Sequence, residues 1–109
     1  MNHLSSPSVT VILPILNEEA DLQNCISAIL QQDYAGEIEI ILALGPSKDK
    51  TNQIASDLAA GDKRIKLVNN PTGQTAKGLN LAIKESAFEI ICRIDGHSEI
   101  SNSYLRTAI

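Results

Sequence analysis

The sequence predicts an α/β fold: a parallel, doubly wound, Rossmann-like sheet in the order β-α-β-α-β-α-β. Two observations carry this expectation. Short runs of Val, Ile and Leu that are apolar on both faces recur along the chain, as in strands buried within a parallel sheet. Amphipathic segments of helical length separate these runs, which suits right-handed crossovers between parallel strands.

Each element has a local reason. Val9 to Leu13 is β-branched and apolar, and Pro14 is expected to end it. Asn17 is a candidate N-cap, with Glu18 and Glu19 at the positive end of a helix whose apolar stripe is Leu22, Ile26, Ile29 and Leu30. Ile38 to Leu44 is a second buried strand. After the Gly45-Pro46-Ser47 turn, Ser47 or Asp49 can cap a helix carrying Ile54, Ala55, Leu58 and Ala59, with Gly61 as its stop. Ile65 to Val68 is a third strand, and Asn69 to Gly73 a loop by composition. A third helix over about 75–86 places Leu79, Ala82, Ile83 and Ala87 on one face. Glu89 to Ile94 is a fourth strand, and a further helix begins near Asn102.

Composition narrows the function. The 109 residues fit one domain or part of one, and 43% hydrophobic with 20% charged residues is ordinary globular usage. Net charge is -4 and the nine Lys and Arg are scattered, which argues against a nucleic-acid partner. Cys25 and Cys92 lie outside any C-x-x-C or Cys/His cluster and read as reduced thiols of a cytoplasmic protein. The first residues, MNHLSSPS, lack the basic start of a signal peptide, and His3 is assigned no role.

Ligands of doubly wound sheets bind outside the carboxyl ends of the strands. Four segments belong there: Pro14 to Glu18, Gly45 to Thr51, Asn69 to Thr75, and Asp95 to His97. Asp95 and His97 flank a glycine and can converge on one divalent cation, their oxygen and nitrogen suiting Mn²⁺ or Mg²⁺ beside phosphate. Asp-Gly is also an ordinary turn, and Asn17-Glu18-Glu19 can be a cap alone. Pro71 to Thr75 leads into a helix N-terminus, a place that attracts anions. Neither a P-loop nor a G-x-G-x-x-G is present. Lys77 reads as a helix-surface lysine.

The order of these segments resembles that of family 2 glycosyltransferases. Val9-Thr10-Val11-Ile12-Leu13-Pro14-Ile15-Leu16-Asn17-Glu18-Glu19 is similar to the family's opening, a strand ending in Pro, two residues, then Asn-Glu. Asn70 to Asn80 resembles its segment of Gly, Ala and Asn at the third helix, and Asp95-Gly96-His97 falls where the family has its D-x-D metal motif. The likeness is nearest to bacterial polysaccharide-building members of the succinoglycan type.

The resemblance implies the N-terminal half of a GT-A fold. Residues 1–109 then form a nucleotide-sugar-binding subdomain, truncated at its C-terminus. The complete enzyme would transfer a sugar, with inversion, from a nucleotide-diphosphate donor to a polysaccharide or lipid-linked acceptor, at the cytoplasmic face of the membrane. Pro14, Leu16 and Glu18 would line the base and ribose site, and Gly73 and Gln74 would approach the nucleotide. Asp95 and His97 would hold Mn²⁺ or Mg²⁺ on the diphosphate. Leu44 stands where the family has the Asp that reads uracil, so a backbone carbonyl or Asp49 would have to substitute. His97 replaces the second carboxylate of D-x-D. The general base is expected beyond Ile109, so the chain alone is expected not to transfer sugar, and an uncovered fourth strand would favour self-association. A non-catalytic nucleotide-binding module is the alternative.

Overall fold

The computed structural model describes residues 6–109; His3 lies outside them. Eight elements follow in order: β1 (Val9–Ile15), α1 (Leu22–Leu30), β2 (Ile38–Leu44), α2 (Thr51–Gly61), β3 (Ile65–Asn69), α3 (Thr75–Glu85), β4 (Ile90–Arg93) and α4 (Tyr104–Ala108). The strands form one parallel sheet in the order β3-β2-β1-β4. The chain steps outward from β1 to β3, then returns through α3 to place β4 on the other side of β1. The strand order therefore reverses between β1 and β4, the position where doubly wound sheets open a crevice.

Alternation along the strands divides the core. Val9, Val11, Leu13 and Ile15 of β1, with Ile38, Ile40, Leu42 and Leu44 of β2, face α1 and α2. The opposite face is smaller: Ile12 and Ile41 meet Ala82, flanked by Val68 and Leu79. The expected apolar face of α3 is only partly this one. Gly78 and Ala82 are the buried positions, whereas Ile83 and Ala87 are exposed. The contact is made by small residues because α3 lies close to the sheet: a Cβ on Gly78 would sit 3.3 Å from Ala43 Cβ.

Two local expectations are corrected. β1 continues through Pro14 to Ile15. The Ile12 carbonyl accepts from Ile94 N–H at 3.1 Å and the Ile15 carbonyl from Gly45 N–H at 2.8 Å, so alternate β1 residues face β4 and β2. Pro14 faces the β4 side, beyond Arg93, the last residue paired there. Its missing N–H has no ladder bond to lose. Nor does Asn17 cap α1, which starts at Leu22 with Asp21 at the cap position. Asn17 is in the left-handed region, φ 53°, a conformation that Asn tolerates better than most residues and that turns the chain away from a helix.

β4 is an edge strand, and Ile91 on it is 36% exposed. Among the described residues, no helix is long and apolar enough to cross a membrane.

Candidate functional site

The loops after β1 and β2 are stitched to each other. Asn17 N–H donates to Ser47 Oγ at 2.9 Å, and Asn17 Oδ1 accepts from Lys48 N–H at 2.7 Å. Glu18 N–H donates to Thr51 Oγ1 at 2.8 Å, and Lys50 N–H to Glu19 Oε1 at 2.8 Å. Asp49 closes the strap: one carboxylate oxygen takes the Thr51 hydroxyl and N–H, the other takes Glu19 N–H. The Thr51 hydroxyl first, with these N–H groups, holds the Asp49 carboxyl below its ordinary range.

The loop after β3 is pinned by Asn70, which is 3% exposed. Its N–H donates to the Leu44 carbonyl at 2.8 Å and its Nδ2 to the Gln74 carbonyl at 3.0 Å, while Oδ1 accepts from Thr72 at 2.8 Å. Gly73 turns at φ 69°, where a Cβ would also approach Pro46 Cδ to 3.1 Å. The loop after β4 folds back at Gly96. A Cβ there would meet Ile15 Cδ1 at 2.7 Å and Glu18 Oε2 at 3.2 Å. From behind, the Cys25 thiol donates to the Asp95 carbonyl at 3.4 Å, and burial raises that thiol above its usual pKa.

These loops enclose a cleft of about 280 Å³ at the reversal of strand order. Six residues predicted from sequence line it together: Pro14, Leu16, Glu18, Gly73, Asp95 and His97. Two do not. Gln74 contributes a carbonyl to the Asn70 pin, and its own residue is exposed outside the cleft. Leu44 is 9% exposed, within β2, and offers the cleft no group. Ile15, Asn70, Thr75 and Arg93 also line the cleft, although the sequence did not single them out as site residues. Ile15, Asn70 and Thr75 lay inside segments assigned to the ligand edge; for Arg93 the one sequence signal was a charge inside an apolar strand.

The charges in the cleft are paired with each other. Arg93 donates through Nε and Nη2 to Asp95 Oδ1, at 3.2 and 3.1 Å. His97 Nδ1 is 3.3 Å from Glu18 Oε2. Among the described residues no three His, Cys, Asp or Glu side chains form a cation cage. The donor set still fits a divalent cation in part. Asp95 Oδ2 has no hydrogen bond among the described residues. With the ring proton on Nδ1, donated to Glu18, His97 keeps its Nε2 lone pair for a cation, since a carboxylate on one ring nitrogen fixes the tautomer that leaves the other free to ligate.

The substitutes considered for uracil recognition already accept other hydrogen bonds. Asp49 uses both oxygens in the strap, and the Gly45 carbonyl accepts from Ser47 N–H at 2.9 Å and Asn52 Nδ2 at 3.0 Å. The Leu44 carbonyl is held by Asn70. What remains around this part of the cleft is apolar: Pro14 and the 42%-exposed Leu16.

Comparison with known proteins agrees with this geometry. The chain is 32% identical over 97 residues to the uncharacterised glycosyltransferase EpsJ of Bacillus subtilis, an alignment covering 89% of the chain and 28% of EpsJ. It is 28% identical to the succinoglycan biosynthesis protein ExoA of Rhizobium meliloti, over 94% of the chain and 32% of ExoA. The chain thus spans about a third of the length of these relatives. Among solved structures, S. aureus TarS 1-349 in complex with UDP matches with a TM-score of 0.76 at 23% identity, over 95% of the chain and 31% of that protein. The mannosyltransferase PcManGT of Pyrobaculum calidifontis, in complex with GDP-Man and Mn²⁺, matches with a TM-score of 0.75 at 27% identity, over 86% of the chain and 28% of that protein. The sheet is accordingly the Rossmann-like part of a GT-A fold. The family model for glycosyl transferase family 2 matches residues 10–109, and the chain belongs to that family.

Proposed function

We propose that this chain is the donor-binding part of a glycosyltransferase that takes a sugar from a nucleotide diphosphate. The observation that supports this most is the meeting of Pro14, Leu16, Glu18, Gly73, Asp95 and His97 around one cleft where the strand order reverses. The base and ribose lie along Pro14, Leu16 and Glu18. The diphosphate lies near Gly73 and Thr75, at the start of α3, whose first turn has no side-chain cap and presents its positive end. Asp95 and His97 hold Mn²⁺ or Mg²⁺, the latter oriented by Glu18. Such a cation, when bound, neutralises the diphosphate as it leaves. The acceptor is a glycan or lipid-linked glycan, as suits kinship with ExoA.

The test is calorimetry of the chain with UDP and with GDP, each in Mn²⁺ and in EDTA. At least one nucleotide binds, and binding weakens by about tenfold or more in EDTA, the scale of ordinary coupling between two ligands. Asp95→Ala removes most of this dependence. Equal affinity in Mn²⁺ and EDTA overturns the metal role, and no binding of either nucleotide overturns the donor site.

Base selectivity is expected to be shallow. With Leu44 in place of an acidic side chain, and Asp49 and the nearby carbonyls engaged in other hydrogen bonds, uracil finds no dedicated acceptor there, and one such buried acceptor is worth about 1–3 kcal/mol. Competition between UDP and GDP therefore shows a preference below about a hundredfold. A steeper preference for UDP means that another group reads the base.

A further inference from the structure

Resting on that donor site, we propose that Arg93 couples cation binding to diphosphate binding by exchanging Asp95 for a diphosphate oxygen. Among the described residues, Arg93 is the only Lys or Arg lining the cleft, and it shares that lining with two carboxylates, Glu18 and Asp95. A diphosphate entering against those carboxylates needs a cation of either kind to offset them.

The pair that Arg93 makes here is built to be given up. Both of its donating nitrogens reach the same oxygen, at 3.2 and 3.1 Å. Elsewhere in the chain, Arg64 and Asp62 form a true fork: Nε to Oδ1 at 3.0 Å and Nη2 to Oδ2 at 2.7 Å. Parallel bonds to two oxygens are the strong form of this interaction. The Arg93 and Asp95 side chains are also 49% and 44% exposed, so water screens the pair. Phosphate oxygens offer the guanidinium the fork geometry that it lacks on Asp95.

The consequence is a linkage. A cation on Asp95 Oδ2 competes with Arg93, held on Oδ1, for the charge of one carboxylate, and a diphosphate that takes Arg93 leaves that charge to the cation. Each ligand then tightens the other, by the same factor in both directions. Arg93 acts as a positioning and coupling residue, distinct from the metal ligands themselves.

Calorimetry of the wild-type chain, Arg93→Gln and Arg93→Lys tests this, with three titrations each: Mn²⁺ alone, UDP in EDTA, and UDP in saturating Mn²⁺, with GDP as the second nucleotide probe. In Arg93→Gln, Mn²⁺ alone binds about two- to fivefold tighter, the worth of an exposed ion pair. UDP in EDTA binds about tenfold weaker, the scale of one charged hydrogen-bonded contact. The gain in UDP affinity on adding Mn²⁺ shrinks accordingly. Arg93→Lys falls between, since it keeps the charge without the fork. Unchanged UDP affinity in Arg93→Gln, or weaker Mn²⁺ binding, overturns the coupling role while leaving the donor site standing. Wild-type chain that binds neither nucleotide overturns both. Loss of the thermal transition in Arg93→Gln would assign the residue to folding and likewise overturn the proposal.

Discussion

Replacing Glu39 by alanine is expected to lower the unfolding free energy by about 3 kcal/mol, from two hydrogen-bond donors left without a partner at about 1–3 kcal/mol each. Among the described residues, Glu39 is the one buried acidic side chain, 6% exposed in the middle of the sheet. Its Oε1 accepts from Thr10 Oγ1 at 2.8 Å and from Ala87 N–H at 2.9 Å, and Oε2 meets the ammonium of Lys66. These partners come from β1, from the segment leaving α3, and from β3, so one carboxylate ties three parts of the fold together. Urea denaturation measures the loss, and a change within about 0.5 kcal/mol, the range of neutral surface substitutions, would remove Glu39 from this role.

The same residue has a signature in acid. Burial alone would raise the Glu39 carboxyl, but Ala87 N–H, Lys66 and the Thr10 hydroxyl outweigh it and hold the pKa below its ordinary value. A depressed folded-state pKa means that the stability it contributes is present above the unfolded value of about 4.3 and is lost as pH falls through the folded one. Asp62, lowered to about 2 by Arg64, contributes in the same acid range. The difference between wild type and Glu39→Gln isolates the Glu39 share: it is largest near neutral pH and narrows below about pH 4. A difference that stays constant from pH 7 to pH 3 would contradict the assignment.

Gly78→Val is expected to cost about 2–3 kcal/mol, the range for overpacking a close contact with loss of a neighbouring hydrogen bond. Its Cβ would lie 2.8 Å from Asn70 Nδ2 and 3.3 Å from Ala43 Cβ. Asn70 cannot swing aside freely, because its amide is bonded to Gln74 and Thr72 and it is buried. Helix propensity runs the other way, favouring a side chain over glycine by up to about 1 kcal/mol, so the net loss measures the contact itself. Gly61→Ala is the control: nothing lies within 4 Å of its Cβ, and it gains about 0.5–1 kcal/mol. Because Asn70, Gly73 and Thr75 all line the cleft, Gly78→Val also weakens nucleotide binding. Retained stability with retained affinity would show that α3 can move away from the sheet without disturbing the loop.

What the sequence determined by itself is the set of elements and the edge at which they present their loops. Ile38 to Leu44 is a strand with the bounds read from its apolar run, interrupted only by Glu39, since a segment buried on both faces leaves a local trace in composition. The placement of Pro14, Leu16, Glu18, Gly73, Asp95 and His97 around one cleft likewise follows from their positions at the carboxyl ends of β1, β3 and β4. The tertiary structure alone decided the pairings. Pro14 stays inside its strand because β4 stops at Arg93, a fact about a neighbour far along the chain. Asn17 and Asp49 look like helix caps locally, yet they serve a strap whose partners are 30 to 31 residues apart. Glu39 reads as an anomaly in an apolar run until Thr10 and Ala87, 29 and 48 residues away, supply its hydrogen bonds. Local patterns record burial and backbone preference, which depend on near neighbours. Which donor meets which acceptor is set only when the sheet brings distant segments within about 3 Å of each other, the reach of a hydrogen bond.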